Sequence, residues 1–236
     1  MASHAWRTFI DDLRETTQLL RADPASRHAK RAAHLSGAPV PVASVDLSSA
    51  INKASVMLIS GRLQGCIASQ LEEFLERIDQ SGVLVDDLPE VLRTSLCLHL
   101  FGRPGTLNAD KAAQVHKRYA QLWIPGTQLQ PGTVKTDSLP DPVWNPRPKR
   151  VNELLGRCGI DLFGIIKQHE GRAYLDNLTQ YVGELIDYRN SVAHGDDPNP
   201  WTAADLRLRL RWCVRLARWS EITLGVQLEQ ITGRRW

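Results

Sequence analysis

The chain has few cysteines, no long apolar run and almost no excess of either charge, and each shortage closes off a class of function. Its four cysteines, Cys66, Cys97, Cys158 and Cys213, are scattered through apolar patterns with no CxxC and no histidine at ligand spacing. That excludes a zinc-finger arrangement and a disulfide framework, and the expectation is four buried free thiols with no metal and no cofactor. No apolar stretch approaches the ~20 residues that a membrane span needs. The opening "MASHAWRTFIDDLRETTQLL" lacks the basic-then-apolar order of a secretory signal, so the chain reads as cytoplasmic and without a membrane partner. Lys and Arg total 29 against 26 Asp and Glu, a net charge of +3. A balance so even identifies no polyanion binder, and any electrostatic recognition has to be local. Alternating strands of consequence and internal repeats are missing too.

What is present is helical periodicity. With 236 residues, 42% of them apolar, the chain can bury one substantial core or two small ones. Trp6, Phe9, Ile10, Leu13 and Leu20 predict a helix over 5–22 that stops before Pro24, and residues 23–43, rich in Ala, Pro, Ser and basic side chains, read as a linker. The expected division is thus an N-terminal helical arm over 1–43 and a helical domain over 44–236. A long helix over 46–81 is predicted to bury Leu47, Ile51, Ala54, Met57 or Leu58, then Leu63, Ile67, Leu71, Phe74 and Ile78. Shorter helices follow near 87–101 and 109–123, then a proline-rich excursion over 124–148, and helical patterns return at 149–159, 172–194 and 202–232. The fold class is all-α, a helical bundle.

Three places carry chemistry. The first is "YRNSVAHGDD" at 188–197. On a wheel of about 100° per residue, Leu175, Leu178, Val182, Leu185, Ile186 and Val192 define one apolar arc, and Arg189 falls near its middle. A guanidinium there is rare unless paired or put to use. His194 falls on the polar side, at a terminus marked by Gly195, Pro198 and Pro200. Imidazole is the side chain suited to acid or base work near neutrality. The plainer reading has His194 capping carbonyls and Arg189 bridging to a carboxylate such as Glu72 or Asp187.

The second place is the last helix, where Arg207, Arg211, Arg215 and Arg218 form a stripe beside the apolar face with no acidic side chain on it. It is either a solvated helix face or a surface that tracks phosphates. The third is "WNPRPKR", in which Arg147, Lys149 and Arg150 stand next to Trp144 at a helix start. An aromatic beside basic side chains suits a single-stranded base and its phosphate, but the residues by themselves favour a hydrophobic anchor with ordinary basic flanks.

"RNSVAHG" fits the Rx4-6H signature of the HEPN superfamily, with Arg189 and His194 in the two named places and Asn190 as the polar residue that commonly follows the arginine. "INKASVMLISGRLQGCIASQLEEFL" resembles the long early helix of the RiboL-PSP branch, and "WNPRPKRVNELLGRCGIDLF" its asparagine-proline loop, short helix and glycine turn. The resemblance covers about residues 44–232. Two departures stand out. Gln64 occupies the place where the family often has a glutamate, and Asp196 replaces the tyrosine of a HEPN group that is controlled by nucleotidylation of that tyrosine.

The resemblance implies a metal-independent endoribonuclease, acting as a homodimer that brings two motifs together, of the sort found in toxin-antitoxin or phage-defence systems. It also implies a cognate antitoxin or regulatory partner. The residue types suit that chemistry. RNA carries its own nucleophile in the 2′-hydroxyl, so His194 would move protons while Arg189 stabilises charge on the phosphoryl oxygens. Asn190 would orient the histidine or a phosphate oxygen, and the products would be a 2′,3′-cyclic phosphate and a 5′-hydroxyl. The alternatives are a non-catalytic module that binds RNA or a partner protein, and a purely structural helical subunit.

Overall fold

The computed structural model describes residues 2–22, 27–36, 45–98, 109–134, 145–196 and 201–236. Among them the helices are α1 (His4–Ala22), α2 (Arg27–Ser36), α3 (Val45–Asp79), α4 (Glu90–Leu98), α5 (Ala109–Trp123), α6 (Pro148–Gly156), α7 (Leu162–Glu170), α8 (Arg172–Ala193) and α9 (Ala203–Thr232). The class is all-α, as the periodicity predicts.

The two longest helices, α3 and α9, run side by side in the same direction. Asn52 Nδ2 donates to the Trp201 carbonyl at 2.7 Å just before α9 begins, and Gln70 Nε2 donates to the Ala217 carbonyl at 3.1 Å further along. Helix α1 packs antiparallel on α3. Near one end the Glu73 carboxylate accepts the His4 N–H at 3.0 Å, and towards the other Arg62 pairs with Glu15 at 2.6 Å. Helix α8 lies antiparallel against α9 on the other side, joined by the Arg209–Glu184 ion pair at 2.6 Å. The core runs through these helices and includes Leu20, Ile59, Leu63, Ile67, Phe74, Leu178, Leu185, Leu206 and Leu216.

Helix ends follow local chemistry. Thr202 and Asp205 form a reciprocal capping box at the start of α9, Asp161 accepts the Gly164 N–H at the start of α7, and Pro148 occupies the first turn of α6, where no N–H is needed.

Several expectations change. The first helix is not held apart as an arm, because its Phe9, Leu13 and Leu20 enter the common core. The expected linker contains helix α2, and α7 had no counterpart in the periodicity analysis. On α3 the apolar set splits. Leu63, Ile67, Leu71, Phe74 and Ile78 are buried, but Leu47, Met57 and Leu58 are exposed, while Asn52, Ser55, Val56, Ile59 and Ser60 take the inward positions. Small polar residues can face inward there because the helix backbone satisfies them, as where the Ser55 hydroxyl donates to the Ile51 carbonyl at 2.8 Å. The start of the proline-rich excursion pairs with the chain after α3, Val85 N–H donating to Thr127 O at 2.9 Å and Leu129 N–H to Val83 O at 2.8 Å. Residues 135–144 lie outside the described residues.

Candidate functional site

The last two turns of α8 carry the arginine and the histidine. Tyr188 is buried and Arg189 half-buried, so the guanidinium does not sit at the centre of an apolar arc as the ideal wheel places it. A long flexible stem lets the charged head reach the rim while the methylenes cover apolar surface. Arg189 Nη1 donates to the Asn190 side-chain oxygen at 3.0 Å. Neither carboxylate of the plainer reading is its partner, since Asp187 is ion-paired with Arg147 and Glu72 lines a groove between α1 and α3.

His194 is exposed and forms the C-cap of α8, its backbone N–H donating to Asn190 O at 2.9 Å. Gly195, at φ +84°, makes the left-handed step that ends the helix, and the Asp196 N–H returns to Ser191 O at 3.0 Å. The terminus therefore closes tightly instead of unwinding. Arg189 and His194 share these two turns without a hydrogen bond between them: the imidazole faces solvent and the guanidinium is steadied by Asn190.

The arginine stripe stands on α9 with no carboxylate paired to it among the described residues. Arg211, Arg215 and Arg218 are exposed and Arg207 is half-buried. Helix α1 flanks it, since Arg207 Nη2 donates to the Leu20 carbonyl at 3.4 Å and the Arg218 guanidinium lies 5.4 Å from the Trp6 ring. Arg215 sits 4.2 Å above the Trp212 ring. The cluster at 145–150 is more occupied. Arg147 pairs with Asp187, Arg150 pairs with Glu153 at 3.0 Å, and Lys149 is exposed. Trp144 lies outside the described residues.

Sequence reasoning missed a fifth arginine on α9. Arg209 points away from the stripe, towards α8, where it meets Glu184 and lies 4.0 Å from the Trp201 ring. The signal was available in the wheel, because Arg209 falls about 200° from Arg207 at 100° per residue.

All four cysteine side chains are buried. Burial pushes Cys158 and Cys213 up to about 12. Cys66 is raised by burial and further by the nearby Glu221 carboxylate. No group of three or more potential metal-ligating side chains stands together among the described residues, and no described helix is long and apolar enough to cross a membrane.

The family model described as RiboL-PSP-HEPN matches residues 25–218. The chain belongs to this family. The RiboL-PSP-HEPN match takes in Arg189, Asn190, His194, both basic clusters and most of α9, and it leaves α1 outside. Membership places the protein among all-α domains with ribonuclease-type or other RNA-related function. No curated protein and no solved structure matches the chain.

Proposed function

We propose that this RiboL-PSP-HEPN protein is a metal-independent endoribonuclease that works as a homodimer. The observation that carries the reading is the terminus of α8, where an exposed imidazole and a half-buried guanidinium held by Asn190 stand within two helical turns. His194 takes the 2′-hydroxyl proton or protonates the departing 5′-oxygen. Arg189 has N–H donors beyond the one given to Asn190, and these stabilise the charge that develops on the phosphoryl oxygens. One chain supplies one imidazole, whereas the reaction uses an acid and a base together. Two copies facing one another across a shared cleft supply both. Cleavage leaves a 2′,3′-cyclic phosphate and a 5′-hydroxyl, and a nuclease of this kind fits a toxin or phage-defence effector restrained by a partner protein.

The test is incubation of the wild type, His194→Ala and Arg189→Ala with total RNA in EDTA, with end-group analysis of the products. Wild-type cleavage that each substitution lowers by about 10²-fold or more is expected. Equal cleavage by all three proteins ends this reading.

A second reading, a non-catalytic module that binds RNA or a partner protein, is favoured by the exposed Arg211, Arg215 and Arg218 of α9, which no carboxylate pairs among the described residues. It expects RNA binding that survives His194→Ala and is lost with the stripe.

A further inference from the structure

Trp201 stands just before the start of α9, and three helices hold it there. Its ring stacks on Tyr188 of α8, with centroids 4.3 Å apart and planes 27° from parallel. The Arg209 guanidinium of α9 also packs over the ring, 4.0 Å from its centroid. Its backbone carbonyl accepts the Asn52 Nδ2 of α3 at 2.7 Å, from a side chain that is itself buried. Arg209 is fixed in turn, for its side chain is only 12% exposed, pairs with Glu184 at 2.6 Å and donates to the Asp205 carbonyl at 3.2 Å.

These contacts say what Trp201 and Arg209 do not do. An indole engaged by a tyrosine ring and a guanidinium is poorly placed to stack a nucleobase, and a guanidinium spent on a carboxylate and a carbonyl is poorly placed to hold a phosphate. What the assembly does is join the end of α8 to the start of α9. Tyr188 immediately precedes Arg189, and its ring is stacked on Trp201, just before α9. His194, exposed and without a side-chain partner among the described residues, takes its placement from the backbone at the end of α8.

We propose that Trp201 and Arg209 are positioning residues of the Arg189–His194 site, acting through Tyr188 and the end of α8. This rests on the nuclease reading above, and the experiment separates the two. The variants are Trp201→Ala, Trp201→Phe and Arg209→Lys. The Lys variant keeps the charge opposite Glu184 but lacks the flat guanidinium that covers the indole.

Two readouts are taken on each full-length protein. The first is residue-resolved amide exchange, comparing the His194, Gly195 and Asp196 amides with core amides of α3 such as Leu63, Ile67 and Phe74. The second is RNA cleavage, resolved into kcat and KM. For Trp201→Ala, exchange at 194–196 should rise about tenfold or more while the α3 amides are unchanged, because opening is local. Its kcat should fall about tenfold with KM within roughly threefold, as expected when reacting groups are misplaced and substrate binding is not. Trp201→Phe, which keeps a ring on Tyr188, should recover most of both losses, and Arg209→Lys should show the same pattern as Trp201→Ala in weaker form.

Exchange that rises equally in α3, or does not rise at 194–196, overturns the proposal, as does an unchanged kcat in Trp201→Ala or no recovery in Trp201→Phe. If Trp201→Ala does not fold, the same criteria applied to Arg209→Lys decide it. A wild type that cleaves no RNA overturns the nuclease reading alone, and the exchange pattern still decides whether Trp201 and Arg209 place the α8 terminus.

Discussion

Arg189 gives one guanidinium N–H to the side-chain oxygen of its neighbour Asn190, at 3.0 Å. A neutral acceptor steadies the guanidinium without cancelling its charge, whereas a carboxylate in the same place would do both. Asn190→Ala is therefore expected to lower RNA cleavage roughly tenfold through loss of orientation. Asn190→Asp is expected to lower it more, about 10²-fold, because a charge-assisted pair occupies the group meant for the phosphoryl oxygens. Single-turnover cleavage by the two variants checks the order.

The α9 arginines differ in how free they are, and RNA binding should register the difference. Arg211→Ala and Arg215→Ala should each reduce the slope of log affinity against log salt by ~0.7 for a single strand. Arg207→Ala should reduce it less, because that side chain is half-buried and already donates to the Leu20 carbonyl. Titrations of a fluorescent single strand at several salt concentrations measure the slopes. Unchanged slopes in all three variants would remove the stripe from the RNA path.

The buried thiols make stability fall at alkaline pH. Cys158 and Cys213 ionise near 9.0 when unperturbed and are pushed up to about 12 in the fold by burial. Between those values the unfolded chain releases protons that the folded one keeps, so the unfolded state gains as pH rises. The contribution is intact below pH 9 and declines above it, by up to roughly 1.4 kcal/mol per pH unit for each thiol. Denaturant melts from pH 8 to 11, compared with those of a Cys158→Ala, Cys213→Ala double variant, should show a shallower decline in the variant.

Gly225 is a notch for the C-terminal tryptophan. A Cβ there would collide with Trp236 Nε1, which donates to the Glu221 carbonyl at 3.1 Å. Gly225→Ala should displace the indole and cost about 1 kcal/mol for the lost hydrogen bond. The Trp236 indole resonance and the midpoint of thermal unfolding report the two effects.

Much of the fold was legible because helices announce themselves through spacing. Leu175, Leu178, Val182, Leu185 and Ile186 recur at helical intervals and are all buried. The first half of α3 was misread because Leu47, Met57 and Leu58 are as apolar as the residues that are buried. Periodicity shows that a helix has an apolar side, and neighbours decide which of two adjacent apolar rows is covered. The wheel sets Arg189 near the middle of the apolar arc, but an ideal wheel contains no side-chain length, and the residue is half-buried. Trp201 gave no signal, since its partners Asn52, Tyr188 and Arg209 come from three helices distant in sequence.

By itself the sequence determined the all-α class and the end of α8 at Gly195, since these depend on residue types at short range, through periodicity, capping and left-handed backbone. Tertiary structure alone decided that α1 joins the core, that Asp187 pairs with Arg147 and leaves Arg189 to Asn190, and that Trp201 meets side chains of three helices. Those outcomes turn on which long-range partner satisfies each buried ring or charge, and that is settled only when the helices pack.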